Sequence, residues 1–252
     1  MAAAPIDRAV FYARLRASKL LGPTISDVEF AGLQGILAAW EEQGWPADLR
    51  FVAYTMATAW HEARLNAGIR EIGKGAGYSY GKPAGPYGLI YYGRGPSQLT
   101  WYDNYVKFGR LLSLDLARNP DLALVPEIGA AILIIGSRDG LFRAGKTLAK
   151  FFNERTDNPV GARDIINGDV TKNGGRIAGY HNTFLACLNA AMLPAGSPVP
   201  TPPVETKPLA PPPGNSSSPA PLPSMASPTN PVVVTGGLWS ALKSMFTKKG
   251  TA

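Results

Sequence analysis

The sequence is poor in residues that bind metals or cross-link chains. Cys187 is its one cysteine, so no internal disulfide can form and folding does not depend on an oxidising compartment. His61 and His181 are its two histidines, and neither an HxxxH nor a CxxC spacing occurs, which argues against a metal or other cofactor. No apolar run approaches the ~20 residues of a membrane span. The most apolar stretch, Ile128 to Gly136, reads as a buried core segment. The start, MAAAPIDRAVFYARLRASKLLG, places Asp7, Arg8, Arg14 and Arg16 where a secretory signal needs an unbroken apolar stretch. The expectation is a chain made in the cytoplasm without a signal peptide.

Charge is sparse, at 17% of 252 residues, but unbalanced: 25 basic against 18 acidic residues give a net charge of +7. A basic surface suits nucleic acid, anionic lipid, or a wall polymer carrying phosphate and carboxylate groups, and it also serves solubility. Composition changes near Pro194. From there to residue 235 the chain is mostly Pro, Ser, Ala and Thr and cannot bury enough apolar surface to fold, so 194–235 reads as a disordered linker. It follows a domain at 1–193 and precedes a short tail at 236–252. In the tail, Leu238, Trp239, Leu242, Met245 and Phe246 share one helical face, with Lys243, Lys248 and Lys249 elsewhere. That pattern suits contact with an anionic membrane.

The domain reads as mainly helical. Ser26 and Glu29 form a capping box, and Val28, Leu33, Ile36, Leu37 and Trp40 recur at helical spacing up to Gly44. After Trp45-Pro46, Asp48 opens a second helix with Phe51, Val52, Met56 and Trp60 as its apolar stripe, running to Glu62 or Ala63. Residues 72–97, rich in Gly, Tyr and Pro, form a long loop or short hairpin. Helical patterns return at 104–116, 126–135, 146–152, 162–166 and 177–192.

Glu62 closes the second helix. Apolar surroundings and the negative end of the helix dipole both favour its protonated form, which suits donation of a proton to a glycosidic oxygen. Glu71 lies nine residues on, half a turn away on a continuous helix at ~100° per residue. A break at Asn66 and Gly68 would let it fold back across a groove as the base that activates water. On spacing alone both acids read more readily as ordinary solvated or ion-paired carboxylates.

The segment Tyr91–Tyr105, YYGRGPSQLTWYDNY, resembles the signature of family 19 glycoside hydrolases, the plant chitinases and their phage endolysin relatives. ATAWHEARLNAGIREIGKG upstream, and NPDLAL, ARDIING and RIAGYHNTFLACL downstream, resemble further blocks of that family in the same order. The resemblance implies a lysozyme-like, two-lobed, mainly α domain with a substrate groove. It implies Glu62 as general acid, Glu71 as general base, and Thr100 helping to hold the attacking water. Gln98, Asn104 and Asn167 match sugar-binding positions, and Arg176 matches an arginine that organises the acidic site. Tyr92 and Trp101 offer apolar faces to sugar rings. The sequence departs from the plant pattern in WYDNY and in its close-set acids. The expectation is therefore a monomeric endolysin that cuts β-1,4 bonds of peptidoglycan at the cell wall, with chitin as the alternative and no nucleic acid partner. Gly140 to Thr147 also matches the phosphate-loop pattern GxxxxGK[ST], but the strands of that fold are not apparent. The segment reads instead as a glycine-bounded turn between two helices, with a nucleotide-binding protein as the remote alternative.

Overall fold

The structure, a computed structural model, describes residues 5–42 and 48–193. The linker at 194–235, the tail at 236–252, and the stops expected at Gly44 and Trp45-Pro46 lie outside the described residues. What is described is mainly α-helical, as the sequence suggests.

Helix α1, Arg8–Ser18, starts where the Asp7 carboxylate accepts from the Val10 N–H, and ends at Lys19 in the left-handed conformation. It buries Phe11, Tyr12 and Leu15. The helical patterns read from the sequence begin only at Ser26, so this helix is not among them. Beside α1 the two ends of the domain pair: the Asp7 N–H donates to Ala191 and the Leu193 N–H to Pro5. Helix α2, Asp27–Glu42, carries the expected capping box, with the Glu29 side chain accepting from the Ser26 N–H at 2.8 Å. Leu33, Ile36, Leu37 and Trp40 are buried, but Val28 faces outward.

Helix α3, Leu49–Ala63, is capped by Asp48 and buried nearly all round, which marks it as the central helix. The Asp48 carboxyl is partly buried, which opposes ionisation, but hydrogen bonds from Arg50 outweigh this and hold it below its ordinary range. The break after α3 comes earlier than Asn66 and Gly68: Arg64 and Leu65 are both left-handed. Asn66 then accepts from the Gly68 N–H and closes the turn.

Residues 72–97 form consecutive turns with a short 3-10 helix at Ser79–Gly81. Isolated bridges Arg70–Arg94, Ala84–Leu89 and Arg94–Leu99 hold them. Helix α4, Tyr102–Leu112, follows, then α5, Pro126–Asp139, and the short α6, Leu148–Phe151. A 3-10 helix at Gly161–Ile165 and a π-helical turn at Val170–Gly174 lead into α7, Gly175–Ala191. The largest helix–helix contact is α3 on α7, followed by α1 on α7 and α2 on α5.

The phosphate-loop pattern has no phosphate-loop structure. Gly140 ends α5 in the left-handed conformation, Thr147 caps α6, and Lys146 pairs with Asp164. A helix, not a strand, precedes it, so the lysine has a structural partner and the backbone forms a helix–helix turn. Among the described residues no helix is long and apolar enough to cross a membrane, and no group of three or more His, Cys, Asp or Glu could hold a metal ion.

Candidate active site

Glu62 does not sit in the apolar setting expected for it. Its Oε1 accepts from Nη1 of Arg163, and the pair joins the last turn of α3 to the 3-10 helix at Gly161–Ile165. Arg163 is 3% exposed. Its Nε donates to Asp169 Oδ1 at 2.5 Å, and Asn173 donates to the other oxygen of Asp169 at 2.5 Å. The hydrogen bond from Arg163, together with that from Asn173, holds the Asp169 carboxyl below its ordinary range against the effect of burial. One buried guanidinium thus spans two carboxylates, fork to fork with one and end-on to the other. His61 borders the group; burial holds its imidazole below its ordinary value, with Glu62, Arg163, Asp169 and Arg176 all close enough to act on it.

Glu71 has a different environment, built from neutral donors. Its Oε1 accepts from the Tyr80 hydroxyl at 2.7 Å, and its Oε2 from the Gly93 N–H at 2.9 Å. The Glu71 N–H donates in turn to the Gly93 carbonyl at 2.8 Å. Gly93 is a point of close approach: a Cβ there would lie 2.8 Å from the Gln98 side-chain oxygen and 3.2 Å from Cβ of Glu71. Glu71 and Gln98 therefore flank one glycine.

Trp101 is an exposed aromatic of this region, at 49%, and its ring meets Tyr80 edge-on at 5.5 Å. Tyr80 stacks in turn on exposed Tyr78, 5.2 Å away and nearly parallel. A cavity of about 260 Å³ opens beside Tyr80 and Trp101, lined also by Lys82, Tyr102 and Asp103. Thr100 and Asn104 are partly exposed, and the Asn104 side chain donates to the Thr100 carbonyl at 2.9 Å. Together these groups make a polar and aromatic surface of the kind sugars bind.

Tyr92, Arg176 and Asn167 lie apart from this surface. Tyr92 is 8% exposed with the Arg94 guanidinium 3.6 Å over its ring, so its face is occupied by an internal cation rather than open to a sugar. Arg176 is exposed on the first turn of α7, and the arginine in contact with Glu62 is Arg163. Asn167 is exposed just beyond the helix that carries Arg163, and its N–H donates to the Arg163 carbonyl.

Arg163, Asp169, Tyr80 and Arg94 were not among the residues singled out from the sequence. A signal for Arg163 exists: in ARDII it shares a short helical turn with Ala162, Ile165 and Ile166, where burial requires a paired charge. Arg94 organises the loop from inside. Its Nε donates to Asp121 at 2.7 Å, and its Nη1 faces the Ile90 and Tyr92 carbonyls and the Tyr105 hydroxyl.

No family model matches the chain. Stretches of it are similar to curated plant proteins: 54% identical over 98 residues to endochitinase A2 of Pisum sativum, covering 37% of this chain and 26% of that one. An inactive chitinase-like protein 1 of Hevea brasiliensis is 43% identical over 60 residues, covering 23% of this chain and 19% of that one. Chitinase 8 of Oryza sativa subsp. japonica is 36% identical over 95 residues, covering 36% and 31%. The chain thus spans less than a third of the length of these relatives. Among solved structures, chitinase C from Streptomyces griseus HUT6037 is similar at a TM-score of 0.49 and 22% identity, over 75% of this chain and 78% of that one. A bacterial family 19 chitinase is similar at a TM-score of 0.43 and 21% identity, over 77% and 98%. The sequence matches relate these stretches to chitinases and chitinase-like proteins.

Proposed function

We propose that the chain is a glycoside hydrolase of the family 19 type, cleaving β-1,4 bonds of an N-acetylglucosamine polymer with Glu62 as proton donor and Glu71 as base. The observation that carries this reading is the contrast between the two carboxylates. Glu62 rests on a buried guanidinium already shared with Asp169. A proton on Glu62 therefore strands no charge, because Arg163 remains paired with Asp169. Glu71 is held by two neutral donors that leave each oxygen a further lone pair for water. Glu62 then protonates the leaving oxygen, and water activated by Glu71 attacks the opposite face of the oxocarbenium-like sugar. Trp101 supplies an exposed platform for a sugar ring, and Gln98, Thr100 and Asn104 supply polar contacts on the same side as Glu71, while Asn167 supplies one on the side of Arg163 and Glu62.

Chitin is the substrate the similar proteins favour, and we take it as the first reading. Peptidoglycan, cut by an endolysin, is the second: the net charge of +7 suits an anionic wall. Digesting colloidal chitin and purified peptidoglycan side by side, with Glu62→Gln as control and mass spectrometry after borohydride reduction, separates the two. Chito-oligomers from chitin support the first reading and reduced muropeptides the second. No product from either polymer, or full activity in Glu62→Gln, overturns the proposal.

A further inference from the structure

We infer that Tyr80 is a positioning residue for Glu71, its hydroxyl fixing the carboxylate while its ring ties that carboxylate to the exposed aromatic surface of Tyr78 and Trp101. The inference rests on the reading of Glu71 as the base.

A carboxylate turns about its last bond unless both oxygens are held. In Glu71 one oxygen is held by a backbone donor, Gly93, whose carbonyl is itself tied to the Glu71 N–H. That donor can move only with the chain. The other oxygen is held by a side chain, Tyr80, at 2.7 Å. Remove the phenol oxygen and the carboxylate keeps one anchor, about which it can swing. A hydrogen bond to an ionised acceptor is among the stronger polar contacts in a protein.

The phenol is suited to this task. Burial, and then the hydrogen bond to Glu71, push the Tyr80 hydroxyl up to about 12, so it remains a donor wherever a carboxylate base could work. Its backbone is set by glycine geometry. Gly73, Gly75 and Gly77 are all left-handed, and a Cβ on Gly75 would stand 2.8 Å from the Gly81 Cα and 3.0 Å from the Tyr80 ring. The turns of residues 73–81 therefore fold tightly under the ring. On its other sides the ring meets Tyr78 face to face and Trp101 edge-on. A sugar seated on Trp101 would bear on the side chain that holds the base.

The test is Tyr80→Phe, which keeps the ring and both aromatic contacts, measured on a chitin hexasaccharide with Tyr87→Phe as a hydroxyl-loss control at an exposed tyrosine. Tyr80→Phe should lower kcat about tenfold or more with KM within about twofold. In a Glu71→Gln background the same change should cost nothing further, since the two residues act as one unit. A separate tenfold loss there would overturn the inference. So would wild-type kcat in Tyr80→Phe while Glu71→Gln is inactive. Wild-type activity in Glu71→Gln would instead remove the base reading, and this inference with it.

Discussion

Arg163 and Glu62 meet across 101 residues of chain. The contact closes the end of α3 onto the short helix that precedes Asp169, and it places a fully buried cation under a carboxylate at the candidate site. Replacing Arg163 by Ala leaves Glu62 and Asp169 facing each other without a counter-charge. We expect about 2–4 kcal/mol of destabilisation and loss of measurable hydrolysis. Arg163→Lys keeps the charge but lacks the planar fork that reaches both acids. It should fold, with a thermal midpoint nearer to wild type than that of the Ala variant, yet lose most of kcat. Thermal unfolding and steady-state kinetics on both variants check this; equal kcat in Arg163→Lys and wild type would refute the bridging role.

Gly93→Ala tests the other carboxylate. The new methyl would press on the Gln98 oxygen at 2.8 Å, the end of a side chain that can turn away, and on Glu71 Cβ at 3.2 Å, which can shift only with its own backbone. The backbone of Gly93 is not among the left-handed glycines, so the substitution strains packing rather than the main chain. The expected outcome is a modest stability change, about 1–2 kcal/mol, with a far larger fall in kcat as Glu71 and Gln98 shift. Comparing urea midpoints with kcat shows whether the two effects separate in this way.

Much of this arrangement was legible in the sequence because it is local. The capping box at Ser26 and Glu29, the apolar stripe of α3 and its end near Glu62 all follow from spacing within a few residues. Glu62 and Glu71 could be singled out, and so could the turn-rich segment that follows. What was not legible is long-range. Nothing near Glu62 announces Arg163, and the helix dipole argument for an apolar setting failed because a cation arrives from a distant segment. The break between the acids was placed two residues late, since left-handed Arg64 and Leu65 are not residue types that favour that conformation. Tyr92 looked like a sugar platform because it sits among aromatics. Its burial under Arg94 depends on the turn that folds Arg94 back, which the letters YYGRGP do not state.

Arg94 is the next case. A side chain 6% exposed that donates to Asp121 and faces two carbonyls and a phenol is a structural cation. Asp121 also receives Arg70, directly before Glu71 in sequence. Burial opposes ionisation of Asp121, but these two arginines outweigh it and hold its carboxyl below the ordinary range. Arg94→Met should therefore loosen the turns of residues 70–99 as a unit. We expect about 3 kcal/mol of destabilisation and faster amide exchange at Gly95 and Leu99, whose N–H groups bond within this loop. Exchange unchanged at these amides would show that the loop does not depend on Arg94.

His181 gives a prediction about pH. It is 1% exposed, stacked on Phe152 at 5.1 Å and near Tyr54, and its Nδ1 has no hydrogen-bond partner among the described residues. Burial lowers its value to about 4; Asp157 and Asp48 pull it upward and Arg50 pushes it down, but burial dominates. In the unfolded chain a histidine titrates near ~6.5. Between these values the unfolded chain binds a proton that the folded chain refuses. Stability therefore falls as pH falls through this window, by about 1.4 kcal/mol per pH unit at most, and the contribution is intact above ~6.5. His181→Phe keeps an aromatic ring against Phe152 and removes the titration. Urea unfolding at pH 7 and pH 5 should show wild type losing about 2 kcal/mol more than the variant over that interval. His61, whose value is also lowered, titrates in both proteins and cancels in the difference. If both proteins lose the same amount, the imidazole at 181 is not buried neutral, and the packing of α7 against α3 would have to admit a charge or a water at that position.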